Sequence, residues 1–143
     1  MTDVAPFTGR CLCGAVRFEV TPPTKWCAHC HCSLCRRAHG SAFVTWLGVD
    51  SSQFEITSGA DRVTWYRSTQ EASRGFCDRC GSTMFFRSER WADETHVALA
   101  HMEGPIDRGP AAHVFYDAHV DWVELGDKLP RFGGPSGTEP LHE

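Results

Sequence analysis

The chain has 143 residues, 41% hydrophobic and 22% charged, with a formal net charge of −4. That length supports one domain with a real core, expected to span residues 1–143. The acidic balance speaks against nucleic acid or an anionic membrane as partner, since both reward a basic patch and only Arg36-Arg37 forms one.

The opening MTDVAPFTGR has no basic segment followed by an apolar run, so it is not expected to be a signal peptide. No apolar stretch approaches the roughly 18 residues of a membrane span, and the expected compartment is the cytoplasm. CGAVRFEVT alternates, with Val16, Phe18 and Val20 on one face, and predicts a half-buried strand. One or two helical turns are expected to begin near Ser33 and end before Gly40. Ser33 would cap them and Gly40 would close them in the left-handed conformation. AFVTWLGV predicts a strand from Ala42 to Val49, and QFEITSG a short one closed by Ser58-Gly59. RVTWYRS, STMFFRSE, THVALAHM and AHVFYDA read as further strands, and VDWVELG as a last one. Trp46, Trp65, Phe76, Phe85, Phe86 and Phe115 fall in or beside these strands and are expected in the core. The tail 133–143, rich in Gly and Pro, is expected to fray. The fold class is therefore mainly β with little helix.

The eight cysteines form three groups: Cys11 and Cys13; Cys27, Cys30, Cys32 and Cys35; Cys77 and Cys80. A reducing compartment disfavours structural disulfides, so clustered cysteines there point to metal or catalysis. Cys11-Leu12-Cys13 puts both sulfurs on one face of a strand end. Cys77-x-x-Cys80 is a zinc knuckle, and Gly81 after it tolerates the positive φ of a tight turn. Together these four complete one tetrahedral structural site. Cys30-x-Cys32-x-x-Cys35 offers three thiolates from six consecutive residues, the ligand number of a catalytic site. Spacing alone leaves two alternatives. Cys32-x-x-Cys35 can pair with Cys77-x-x-Cys80 as a ribbon, or a single four-cysteine site can leave the central thiols free. Cys27 or a flanking histidine can also close the second site.

GRCLCGAVRFEV, CHCSLCRRAHGSAF and GFCDRCGSTMFF resemble, in order and spacing, the glutathione-dependent formaldehyde-activating enzymes, a family that includes the centromere protein V domain. The resemblance runs from about Gly9 to about Trp122. It implies a zinc-bound, Mss4-like fold of several coiled sheets, shared with a small nucleotide-exchange factor. It implies a structural zinc on Cys11, Cys13, Cys77 and Cys80 and a more labile zinc on Cys30, Cys32 and Cys35. The implied activity joins glutathione to formaldehyde as S-(hydroxymethyl)glutathione, formally a carbon–sulfur lyase run in reverse. Cys27 departs from the family core.

On that reading the partners are a small thiol such as glutathione and an aldehyde. Arg36 and Arg37 are candidates to bind substrate carboxylates, and His31 or His39 to take the thiol proton. Two loaded sites would lower the charge to about −7, since each ligating sulfur gives up its proton. Competing functions are a non-catalytic zinc module for protein interaction and a redox or metal sensor using the central thiols.

Overall fold

The structure is a computed structural model that describes residues 5–141. The first four residues of the N-terminal stretch and the last two of the tail lie outside the described residues. The elements in chain order are β1 (Phe7–Arg10), β2 (Arg17–Val20), β3 (Trp26–Cys30), α1 (Ser33–His39), β4 (Val44–Asp50), β5 (Phe54–Ser58), β6 (Val63–Arg67), β7 (Ala72–Cys77), β8 (Thr83–Ser88), β9 (Glu94–Ala98), β10 (His113–Val114), β11 (Phe132–Gly133) and β12 (Glu139–Pro140), with short 3-10 turns between several of them. The fold is mainly β, as expected. Among the described residues no helix is long and apolar enough to cross a membrane.

Contacts divide the chain into two compact units. The first comprises residues 1–26 and 47–108. In it β1, β2 and β5 form an antiparallel sheet in which Phe7 opposes Val20 and Arg10 opposes Arg17. β6, β7, β8 and β9 follow one another as an antiparallel meander. The alternation read in the sequence is real: Val16, Phe18 and Val20 are all buried, while Arg17 between them is exposed. They meet Leu47, Val49, Met84, Phe85 and Val97, all fully enclosed. Phe85 anchors this core, edge-on to Phe18 with ring centroids 5.0 Å apart and edge-on to Phe54 at 5.0 Å, the geometry that aromatic quadrupoles favour.

The second unit comprises residues 27–46 and 109–143. β3 and β10 run parallel there, with His113 opposite His29 and Val114 opposite Cys30. α1 follows β3 after two residues. Arg36, Arg37 and His39 occupy its last turn, where cations suit the helix dipole. Gly40 closes it in the left-handed conformation, as expected. Its first residue is flanked by a different cap, however: the Cys32 sulfur, not the Ser33 hydroxyl, accepts a backbone N–H, from Cys35.

Three other expectations change. The strand read over AHVFYDA shrinks to His113–Val114, because Phe115 takes φ 53° and turns the chain into a 3-10 turn over Tyr116–Ala118. VDWVELG forms no strand; Trp122 is 69% exposed and the segment has no sheet neighbour among the described residues. The tail, expected to fray, carries a hairpin in which Phe132 opposes Pro140 and Gly133 opposes Glu139.

Candidate metal centres

Each unit holds one cysteine cluster. In the first, Cys11 and Cys13 lie in the turn between β1 and β2; Cys77 ends β7 and Cys80 lies in the turn before β8. The knuckle at Cys77 is tied by Gly81 N–H to Cys77 O at 2.8 Å, with Gly81 at φ 79°. Leu12 N–H donates to Ser82 Oγ at 2.9 Å and joins the two turns. The four sulfurs all lie within 4.8 Å of one another. Cys11 Sγ and Cys13 Sγ are 3.6 Å apart, Cys13 Sγ and Cys77 Sγ 3.8 Å. A tetrahedral ion with metal–sulfur bonds of about 2.3 Å requires sulfurs about 3.8 Å apart. No disulfide competes, since all are free thiols.

Electrostatics points the same way. Burial raises Cys77 to about 11 against hydrogen bonds from the Cys80 and Arg79 backbone. Burial also opposes ionisation of Cys80, but the Ser82 hydroxyl at 3.2 Å, with the Ser82 and Cys13 backbone, outweighs it and brings Cys80 down to about 5. One sulfur of the set thus ionises readily while its neighbour resists, as expected of packed thiolates that share one site. A divalent cation removes that conflict.

The second cluster is Cys30, Cys32 and Cys35, whose sulfurs lie within 4.8 Å of one another. Cys30 ends β3, Cys32 caps α1 and Cys35 sits inside its first turn, so a strand end and a helix start converge on one point. Cys30 Sγ and Cys35 Sγ are 3.6 Å apart, again close to a tetrahedral edge. The Cys32 and Cys35 thiols, and then burial, push the Cys30 thiol far up. Three sulfurs this close cannot all ionise without a cation among them, so this donor set also fits a metal ion. Cys27, His29 and His31 are not members of the group. The count is therefore three here against four in the first unit, where Cys77 and Cys80 gather with Cys11 and Cys13.

The remaining candidates fall around this second cluster. Arg36 is half-buried and its Nε–H donates to His31 O at 3.4 Å; Arg37 is exposed on α1. His39 packs edge-on to Trp46, centroids 5.2 Å apart. His31 is buried, and burial followed by the nearby His113 lowers its ring to about 4. Its Nε2 lies 2.8 Å from His113 Nδ1, and His113 Nε2 lies 3.0 Å from both carboxylate oxygens of Asp127. The Leu129 backbone N–H holds the Asp127 carboxyl below the ordinary range, and His113 adds to it against slight burial. His29 stacks on His113 with centroids 4.8 Å apart, and its Nδ1 lies 2.7 Å from Thr45 Oγ1. The sequence offered no signal for His113 and Asp127: neither stands at a metal-ligand spacing, and His113 is 82 residues from its partner.

The profile of the family described as glutathione-dependent formaldehyde-activating enzyme matches residues 6–118, which include both clusters. The chain belongs to that family. A Halomonas elongata protein that bears the family's name is 31% identical over 125 residues, covering 82% of this chain and 79% of that protein. A Schizosaccharomyces pombe protein described as an uncharacterized lyase is 31% identical over 126 residues, covering 88% and 90%. The crystal structure of a Rhodobacter sphaeroides protein superposes with a TM-score of 0.59 at 30% identity, covering 71% of this chain and 92% of that one.

Proposed function

We propose that this chain is a zinc-dependent enzyme that joins a small thiol, glutathione or a relative, to formaldehyde or a related aldehyde, like S-(hydroxymethyl)glutathione synthase. In this reading Cys11, Cys13, Cys77 and Cys80 hold a structural zinc, and Cys30, Cys32 and Cys35 hold a second, catalytic one. Thiolate sets favour zinc among the common divalent ions. The reading takes residues 1–143 as one Mss4-like domain that works in the cytoplasm on small molecules, without nucleic acid or membrane.

The observation that carries it is the ligand count: three sulfurs gather in the second unit, and Cys27 is not among them. A tetrahedral ion with three protein ligands leaves one corner to a substrate. Zinc bound there supplies the positive charge that favours a thiolate over a thiol at neutral pH. The substrate sulfur then adds to the carbonyl carbon, a carbon–sulfur bond forms, and the carbonyl oxygen takes the proton that the thiol gave up. No atom is lost, and the reverse step is a carbon–sulfur lyase reaction. Arg36 and Arg37 on α1 supply guanidinium groups for the carboxylates of a tripeptide in this reading, whereas His31, expected beside them, is enclosed and bonded to His113 and does not face a substrate.

The test is a zinc count paired with the rate of S-(hydroxymethyl)glutathione formation above the spontaneous rate, for the wild type and Cys32→Ser. Two zinc ions and a catalysed rate are expected for the wild type, one ion and the spontaneous rate for the variant. An unchanged rate after loss of the second ion refutes the catalytic reading and leaves a metal-stapled interaction module.

A further inference from the structure

His31 is the single residue between two ligands of the second cluster, so its placement sets how Cys30 and Cys32 face one another. It is held at three points. Its backbone N–H donates to Val114 O at 3.0 Å, its carbonyl accepts from Arg36 Nε, and its ring enters a chain that runs through His113 to Asp127. His113 is fully enclosed and His31 is 2% exposed, so water does not compete for the bond between their rings, while Asp127 anchors the outer end of the chain from the surface. We propose that Asp127 and His113 are positioning residues for the Cys30, Cys32 and Cys35 centre, acting through the ring of His31.

The chain has a defined polarity. An ionised carboxylate only accepts hydrogen bonds, so His113 Nε2 carries the hydrogen that faces Asp127. The ring–ring bond takes its direction from His31, whose Nε2–H donates to His113 Nδ1. His31 Nδ1 is left as the bare nitrogen. It is buried without a hydrogen-bond partner among the described residues, and an enclosed N–H in that condition is rarer than an enclosed acceptor. Asp127 Oδ1 also accepts the Leu129 N–H at 3.0 Å, so one oxygen both orients the imidazole chain and fixes the strandless segment that carries it.

The inference rests on the reading that the second cluster holds a metal. Three ligands drawn from six consecutive residues require that segment to be ordered when the ion binds, and a segment already held loses less freedom. Outer partners of metal sites typically contribute about 10–100-fold to metal affinity, and the same range is expected here. Asp127 lies beyond residues 6–118, so the family profile does not cover this contribution.

The experiment loads the full chain with Co2+, follows both sites by visible absorption, and titrates with a chelator. Asp127→Ala should weaken the second site about 10–100-fold and leave the four-sulfur site unchanged. Asp127→Asn keeps an acceptor oxygen and should fall between Ala and the wild type. Nitrogen-15 NMR of the wild type should show His31 protonated at Nε2 and bare at Nδ1. The proposal is overturned by Asp127→Ala affinities within twofold of the wild type, by equal weakening of both sites, or by His31 protonated at Nδ1. A wild type that takes up one Co2+ overturns it together with the metal reading, whereas a wild type with two equally held by Asp127→Ala overturns the positioning alone.

Discussion

Cys77→Ala removes one sulfur from the site that ties the β1–β2 turn to the β7–β8 turn. Cys13 and Cys77 are 64 positions apart. Treated as a cross-link, an ion between them removes chain entropy worth about 4 kcal/mol from the unfolded state. Cys77 is fully buried, so truncation adds about 1 kcal/mol for the lost packing. The sum of about 5 kcal/mol is a lower bound, because the direct metal–sulfur energy is left out. It is comparable to the roughly 5–15 kcal/mol by which whole domains are stable. At about 2–4 °C per kcal/mol for a chain of this size, the melting temperature should fall by about 10–20 °C. The assay is a metal count beside thermal and guanidinium unfolding, with chelated wild type as reference. A variant that has lost the ion yet unfolds within about 1 kcal/mol of the wild type would show that the clamp contributes nothing.

Three further outcomes are expected. Ser82→Ala removes the hydroxyl that holds Cys80 down, so the pH at which acid releases the first metal should rise by about one unit, read by metal release against pH. Gly59→Ala should cost more than about 2 kcal/mol in guanidinium unfolding, since Gly59 sits at φ +76° and an added Cβ would collide with the Ala15 carbonyl oxygen; an unchanged midpoint contradicts this. Burial holds the His96 ring below its ordinary 6.5 despite Glu94 beside it. The unfolded chain therefore binds the extra proton first as pH falls, so stability is complete above the unfolded value and declines below it. The guanidinium midpoint should drop as the pH falls below about 6.5, and His96→Gln should flatten that decline.

Alternation displayed β2, and β-branched or aromatic runs displayed β4 and β9, while β3 stayed hidden. Val16, Phe18 and Val20 announced β2 because one face is core and the other is water. WCAHC in β3 has no such contrast, since Cys27, Ala28 and Cys30 are all buried. VDWVELG showed a pattern without a partner strand, and periodicity cannot report on a neighbour. Both cysteine groupings were open to spacing because their members fall within short local runs; which runs come together was not, and in the structure Cys77 and Cys80 lie with Cys11 and Cys13. Asp127, His113 and His31 stayed invisible as a set for the opposite reason: each is an ordinary residue until the fold brings the three together.

The cap at α1 has a practical corollary. One sulfur at position 32 both opens the helix and belongs to the ligand trio. Serine at that position offers an oxygen to the same amide and is a preferred helix opener, but binds soft cations far more weakly. Exchanging sulfur for oxygen there thus uncouples local backbone order from ion capture.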